Sequence, residues 1–153
     1  MKKQRPNQTK RIVNRRAKFD YELGDSFVVG MQLTGAETKS LRMGHGQLRG
    51  SYVTVKDNEL WLTNATISPS SGVPISESDQ TRSRKLLAKR REINQLIQAK
   101  QQGLTIIPNE ILVQGRYIKL RISAGRGKKA YDKRQTLKKR EADQRIDNVI
   151  KNN

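Results

Sequence analysis

Residues 51–64 read SYVTVKDNELWLTN, and this stretch decides the fold that the sequence predicts. Apolar and polar residues alternate on both sides of Asp57 and Asn58, a pattern typical of two half-buried strands joined by a tight turn. The inward face would carry Val53, Val55, Leu60 and Leu62. We therefore expect a β-hairpin that packs one face against a core.

Two further stretches have the same two-residue period, and a third also predicts a strand. Residues 116–123, RYIKLRIS, direct Lys119 and Arg121 outward and place three apolar side chains inward, namely Ile118, Leu120 and Ile122. Residues 110–114, EILVQ, alternate in the same way, with Gly115 as the turn between the two stretches. Residues 27–35, FVVGMQLTG, predict another strand, with a bulge at Gly30.

Two segments have the features of helices. GAETKSLRM begins at Gly35 and stops at Gly44, as expected of a glycine that ends a helix. A second helix is predicted from Ser83 to Gln102, because a 3.6-residue spacing places Leu86, Ile93, Leu96 and Ile97 near one face. Residues 68–80 lack periodicity and predict a loop. The strands and helices together predict a mainly β fold, a small antiparallel barrel capped by helices.

Positive charge is concentrated in three segments of the 153-residue chain, which carries a net charge of +18. Residues 1–18 have eight basic and no acidic residues, residues 82–100 have seven basic and one acidic, and residues 124–153 have ten and four. Residues 19–81 are mildly acidic, with four basic and eight acidic residues. Such a distribution predicts a polyanionic partner, with nucleic acid the leading candidate.

The C-terminal segment is poor in apolar residues. After Gly125 and Gly127 its only large apolar side chains are those of Tyr131, Leu137, Ile146, Val149 and Ile150. So thin a stripe does not offset a backbone ordering cost of about 1–2 kcal/mol per residue. We expect this tail to be disordered on its own.

Composition also excludes several classes of function. The chain has no cysteine and one histidine, His45, which excludes a disulfide framework and the common zinc geometries. GRGKK lacks the first glycine and the final hydroxyl residue of a phosphate-binding loop, and no spacing nominates a nucleophile with its base. We expect no active site, no metal and no cofactor. No apolar run reaches the roughly 20 residues of a membrane span, so we expect a soluble, cytoplasmic protein.

Five aromatic residues lie on or beside the predicted strands: Phe19, Tyr21, Phe27, Tyr52 and Trp61. Aromatic side chains at such positions either fill the core or stack on bases, and the residues alone leave both roles open. Composition and pattern therefore predict an RNA-binding or ribosome-binding protein without choosing the RNA.

Several stretches, in this order, resemble the small protein B family, the SsrA-binding proteins: NRRAKFDY, LTGAETKSLRMG, SYVTV, ISP, TRSRKLL with REI, GLTIIP, and AGRGKKAYDKR with LKKRE. They run from Asn14 to Glu141. The resemblance implies an oligonucleotide-binding-like antiparallel barrel with flanking helices at residues 14–124. A disordered basic arm would precede it at residues 1–13. A basic tail, disordered until it binds the ribosome, would follow at residues 125–153.

The resemblance also implies a function. The barrel would bind the tRNA-like domain of transfer-messenger RNA and deliver it, with elongation factor Tu and GTP, to stalled ribosomes. The tail would occupy the decoding centre and the empty messenger channel. The protein would be a monomer with no enzymatic activity of its own. Two rivals stay open: a structural ribosomal protein or general RNA-binding translation factor, and an enzyme of nucleic-acid processing.

Site residues follow from the matching motifs. The resemblance implies that transfer-messenger RNA is bound by Arg15, Arg16, Phe19, Lys39, Ser40, Arg42, Arg82, Arg84, Lys85, Leu87 and Lys89. It implies that the ribosome is bound by Gly127, Lys128, Lys129, Tyr131, Asp132, Lys133, Arg134, Lys138, Lys139 and Arg140. For Asp132 the residues leave two roles open, a local pair with an arginine or the capping of a tail helix that starts at Lys133, and we hold the cap as a hypothesis.

Three positions depart from the family pattern. Phe19 stands where a histidine is usual, Val28 where a glutamate is usual, and Lys89 where a histidine or asparagine is usual. A phenylalanine still stacks on a base and a lysine adds a phosphate contact, whereas valine does not replace a carboxylate. We therefore expect an altered RNA contact at Val28.

Overall fold

Strands dominate the chain from residue 10 onward. The computed structural model describes residues 10–152, and the side chains of all of these except 130–132, 136 and 146–152. In chain order the elements are β1 (Lys10–Val13), α1 (Ala17–Asp20), β2 (Tyr21–Met31), α2 (Gly35–Arg42), β3 (Gly46–Gln47), β4 (Tyr52–Lys56), β5 (Glu59–Thr63), β6 (Thr66–Ile67), α3 (Glu77–Gln80), β7 (Arg84–Leu87), α4 (Arg90–Gln101), β8 (Thr105–Gln114), β9 (Tyr117–Gly127) and α5 (Ala130–Asn152).

Six of these strands close into a barrel. They run in the order β8, β4, β5, β7, β2 and β9, and β9 pairs again with β8, so that the sheet returns to its start. Every pairing is antiparallel, and β1 lies beside β8. The mainly β antiparallel barrel with flanking helices is thereby confirmed.

The quoted hairpin forms as its pattern predicts. β4 pairs with β5 in the register Val53 to Leu62 and Val55 to Leu60. Asp57 and Asn58 both have positive φ values, 53° and 57°, which a two-residue hairpin turn requires. Leu60 and Leu62 are fully buried, and they join Leu120 and Ile122 of β9 in one hydrophobic core. Burial on alternate positions of each strand therefore fills the barrel.

Helix α2 is confirmed, including both of its ends. The Thr34 hydroxyl accepts the Glu37 N–H at 3.2 Å, and the Glu37 carboxylate accepts the Thr34 N–H at 3.0 Å. This reciprocal pair satisfies two amide groups that the helix itself leaves free. Gly44 follows the helix with φ +84°, a conformation that favours glycine.

The predicted helix from Ser83 to Gln102 is wrong in its first part. Residues Arg84–Leu87 form strand β7 between β5 and β2, and the helix starts only at Arg90. Lys89 is extended (φ −68°, ψ 144°), and its N–H is accepted by the Glu92 carboxylate at 3.2 Å. Closing the barrel requires a strand at this place, and that pairing overrides the local helical pattern.

The bulge predicted at Gly30 is also wrong. Gly30 pairs in regular register with Leu87 on one side and with Lys119 on the other. The irregularity of β2 lies between Leu23 and Ser26, and a second one interrupts β8 between Pro108 and Glu110. In the predicted loop, Ser70 pairs with Val73, and the short helix α3 forms.

The sheet extends beyond the predicted bounds of 14–124 at both ends. β1 takes up residues 10–13 of the predicted arm, and β9 continues to Gly127. The rest of the arm, residues 1–9, lies outside the described residues. The tail is present as α5, so its disorder before ribosome binding stays a prediction. The side chain of Asp132 is not among those described, and its capping role stays a hypothesis.

Candidate nucleic-acid interface

The outward side chains of three neighbouring strands form one surface, which we call the outer sheet face: Lys85 and Leu87 of β7, Val28 of β2, and Lys119 of β9. Register places Gly30 between Leu87 and Lys119 in adjacent strands. The inward neighbours of these residues, including Leu86, Val29 and Leu120, are buried in the core. Alternation along each strand therefore leaves the four named side chains on the outside.

A groove of about 230 Å³ lies at the end of the outer sheet face where Leu87, Gly30 and Lys119 are neighbours. Leu87 is 54% exposed and Tyr117, at the start of β9, is 72% exposed, and both line the groove. A Cβ at Gly30 would lie 3.3 Å from the Cβ of Leu87, so glycine keeps the groove open. An exposed aromatic ring and an aliphatic side chain beside Lys119 suit a stacked base with its phosphate.

Helix α2 holds one wall of this groove through Arg42. Its guanidinium donates to the carbonyls of Gly115 at 2.8 Å and of Arg116 at 2.9 Å, which lie in the turn before Tyr117. The carbonyl of Arg42 accepts the ammonium of Lys10 at 3.2 Å. Arg42 is thus a positioning residue for the turn, while Lys39, on the same helix, is exposed.

Arg84 lies inside the protein, although the family motif implies a contact with RNA. Its side chain is fully buried, and all five of its N–H groups donate. The acceptors are the Glu37 carboxylate at 2.5 Å and the carbonyls of Ala65 at 2.9 Å and of Arg82, Asp79 and Gln80 at 3.0 Å. A direct phosphate contact by Arg84 is therefore not available in this structure. Ser40 is buried as well, with its hydroxyl 3.4 Å from that of Ser70.

Glu37 joins α2 to this buried arginine. Its second carboxylate oxygen accepts from Arg82, which is one-third exposed and reaches the surface. Burial raises the pKa of Glu37, but hydrogen bonds from Arg82, from the Thr34 backbone and from Arg84 outweigh it, so the pKa lies below its usual value. Burial lowers the pKa of Arg84 and Glu37 opposes that shift. The pair is therefore ionised at neutral pH and links α2 to β7.

Phe19 contacts the tail. The guanidinium of Arg16 lies 4.9 Å from the centre of its ring, and the charged groups of Lys133 and Arg140 in α5 lie 5.9 Å from it. Asp20, the next residue, forms an ion pair with Lys133 at 3.4 Å and accepts the Lys128 N–H at its carbonyl at 2.8 Å. Helix α1 is therefore the place where the start of the tail meets the barrel.

The other predicted site residues divide between these two regions. Arg15 and Lys89 are exposed, Lys85 is partly exposed, and Lys128 donates to the Lys18 carbonyl at 2.9 Å. Five tail residues are exposed: Gly127, Lys129, Arg134, Lys138 and Lys139. Tyr131 has no described side chain. Motif matching missed Tyr117 and Lys119, although the alternation in RYIKLRIS already directed Lys119 outward.

Within the described residues, no group of three or more histidine, cysteine, aspartate or glutamate side chains is arranged to hold a metal ion. Among the same residues, no helix combines the length and apolar character needed to cross a membrane.

A closed antiparallel barrel with a basic and apolar outer sheet face defines the class: this is an oligonucleotide-binding-like barrel protein with a basic tail helix. The SmpB protein family model matches residues 11–152, and the chain therefore belongs to the SmpB protein family. The SsrA-binding protein of Trichormus variabilis is 42% identical over 142 residues, which cover 91% of each chain. That of Roseiflexus sp. is 41% identical over 152 residues, covering 96% of each chain.

The fold is also similar to that of a solved structure. One chain of the structure described as "tmRNA-SmpB: a journey to the center of the bacterial ribosome" superposes with a TM-score of 0.64 and 38% identity. The match covers 78% of this chain and 85% of that chain.

Proposed function

We propose that this protein is an RNA-binding adaptor of trans-translation. It binds the tRNA-like domain of transfer-messenger RNA through the outer sheet face and delivers that RNA to stalled ribosomes. Membership of the SmpB protein family supports the proposal, as does the likeness to a chain described together with transfer-messenger RNA and the bacterial ribosome. The observation that carries it is the groove in which Leu87 and Tyr117 are exposed beside Lys119.

The groove has the chemistry that a folded RNA needs from a protein. Bases splayed out of a loop present a flat apolar surface, which stacks on a ring such as that of Tyr117. Lys85 and Lys119 lie on the same face and attract the phosphates that flank such bases. Val28 is 41% exposed on this face and adds apolar contact where the family pattern has a carboxylate.

The tail has a separate role in this proposal. Past Arg134, its cations Lys138 and Lys139 are exposed and reach into solvent. A basic segment with few apolar residues binds RNA phosphates and gains its order from them. In the decoding centre and the empty messenger channel it replaces the missing messenger RNA.

Further partners complete the assignment. Elongation factor Tu with GTP acts through the bound RNA, and the hydrolysis of GTP belongs to that factor. The protein itself acts as a monomer in the cytoplasm and performs no catalysis.

The test compares affinities of the full chain for the isolated tRNA-like domain and for an RNA hairpin of equal length. Tyr117→Ala removes the stacking ring, and we expect about 1–3 kcal/mol of lost binding, a loss of roughly 5- to 150-fold. Lys56→Ala, an exposed lysine of β4, is the matched surface control and should change affinity less than twofold. Equal affinity for both RNAs, unaffected by Tyr117→Ala, would favour a structural ribosomal protein.

A further inference from the structure

Helix α2 is connected to both walls of the groove at the end of the outer sheet face. One wall is Leu87 of β7, and the other is Tyr117 at the start of β9. Thr38 of α2 also lines the groove. A single short helix therefore lies where it can fix the distance between the two walls.

The connection to the Leu87 wall is buried. The Glu37 carboxylate accepts a hydrogen bond from the Nε of Arg84 at 2.5 Å, and the side chain of Arg84 is fully buried. Leu87 ends the same strand, three residues further on. A buried ion pair keeps its geometry because separating the partners leaves a charge without compensation. The first turn of α2 is thus fixed relative to β7.

Arg42, in the last turn of α2, makes the connection to the other wall. Its Nη1 donates to the Gly115 carbonyl at 2.8 Å, and its Nη2 donates to the Arg116 carbonyl at 2.9 Å. Gly115 and Arg116 form the turn that leads from β8 into Tyr117. The carbonyls of such a turn lie outside the strand ladder and need another partner. A planar guanidinium that bridges both of them fixes the position and the direction of the turn.

The ring of Tyr117 depends on this turn for its place. Tyr117 is 72% exposed, so few neighbouring side chains hold the ring. Gly115 has a φ of +58°, and both residues of the turn are exposed. A solvent-exposed turn that contains glycine is mobile unless side chains hold it. Arg42 therefore controls how far the Tyr117 ring lies from Leu87.

The family motif implies a direct contact between Arg42 and RNA, and that role differs measurably from control of the turn. A phosphate contact adds about 0.7–0.9 to the salt slope of binding, whichever other residues are present. Control of the turn adds nothing to the salt slope, and it matters only while the Tyr117 ring is there to be placed.

We propose that Arg42 is a positioning residue, which places Tyr117 for stacking on a base and does not itself bind a phosphate. Helix α2 then acts as a brace that sets the width of the groove, with Glu37 holding one wall and Arg42 the other. This role rests on the proposed function, because it takes RNA as the ligand of the groove.

A double-mutant cycle with the tRNA-like domain and the full chain separates the two roles. We expect Arg42→Met to weaken binding at least about threefold in the parent protein, but less than about 1.5-fold when Tyr117→Ala is already present. Lys56→Met is the control for the loss of one positive charge away from the groove. Across a salt series, the slope for Arg42→Met should change no more than the slope for Lys56→Met. Lys119→Met, which removes a cation of the groove, should lower the slope by about 0.7–0.9.

The possible results are distinct. An equal loss in both backgrounds, or no loss in either, would overturn the positioning role. A slope as low as that of Lys119→Met would identify a direct phosphate contact instead. The proposed function is judged separately by Tyr117→Ala alone, because it requires that this variant weaken binding whatever Arg42 does.

A second measurement needs no RNA. In ¹⁵N relaxation of the labelled full chain, Arg42→Met should show more backbone motion than the parent protein at Gly115 and Arg116. Asp57 and Asn58, the turn of the other hairpin, are the internal control and should show no change. Equal motion of Gly115 and Arg116 in parent and variant would mean that the guanidinium does not hold the turn, and the proposal would be refuted.

Discussion

Replacing Arg84 by methionine should destabilise the barrel far more than it alters RNA recognition. Methionine keeps most of the side-chain volume but none of the five N–H donors. The Glu37 carboxylate, which is 2% exposed, then loses its buried ion-pair partner and one hydrogen bond. Removing one partner of a buried ion pair costs about 3–5 kcal/mol. Each buried carbonyl that loses its donor adds to this, but those of Asp79 and Gln80 are only partly buried and can turn to water.

We therefore expect Arg84→Met to lower the free energy of unfolding by more than about 3 kcal/mol, the lower end of that range. The melting temperature should fall by roughly 6–20 °C. The assay is urea unfolding followed by circular dichroism, with Lys85→Met as the matched control on the neighbouring, outward position of β7. The control should stay within about 0.5 kcal/mol of the parent protein while losing affinity for the tRNA-like domain. If Arg84→Met loses less than about 1 kcal/mol yet weakens RNA binding as Lys85→Met does, Arg84 acts at the surface and the buried role is wrong.

Three more predictions concern Glu37 and the tail. The pKa of Glu37 in the folded protein lies below its unfolded value of about 4.3. The ionised carboxylate therefore stabilises the fold above that pH, and this contribution is lost on acidification. In a pH series, the urea midpoint of Glu37→Gln should fall less steeply towards low pH than that of the parent protein. Asp20→Asn removes the partly exposed ion pair with Lys133, which is worth at most about 1 kcal/mol. Amide hydrogen exchange at the start of α5 should therefore become faster, by no more than about fivefold. An unchanged exchange rate would mean that this contact does not hold the tail. The double variant Lys138→Ala, Lys139→Ala should keep its affinity for the tRNA-like domain but abolish tagging of stalled chains in a cell-free translation assay, and parallel loss of both would contradict separate roles for barrel and tail.

Local patterns were sufficient for the elements that are defined by their own residues. The hairpin of β4 and β5 depends on period-two alternation and on Asp57 and Asn58, which tolerate positive φ. Helix α2 carries both of its end signals within eleven residues, from Thr34 to Gly44. In each case the physical cause of the structure is close in sequence, and so the sequence alone could predict it.

β7 shows where this approach fails. Its inward position 84 holds an arginine, and a charged residue facing a core has no place in an alternation of apolar and polar residues. The explanation lies 47 positions away, at Glu37, whose carboxylate makes the burial of Arg84 tolerable. The bulge of β2 was misplaced for a related reason: a glycine in a strand marks either a bulge or a close approach, and at Gly30 it marks the approach of Leu87.

The candidate site also contains residues that local sequence indicates and residues that only distant strand pairing brings in. Lys85 and Leu87 were found through their motif, whereas Tyr117 and Lys119 become part of the site only because Gly30 pairs with both β7 and β9. Such a cross-strand register is a property of the closed barrel.

The contact between helix α1 and the start of α5 has a mechanical consequence. α5 spans 23 residues, which at 1.5 Å per residue makes a rod about 35 Å long, fixed near one end at Asp20. A tilt of about 10° at that pivot moves the far end by roughly 6 Å, more than the length of one helical turn. A small movement of helix α1, which has only four residues, therefore becomes a larger displacement at the far end of α5.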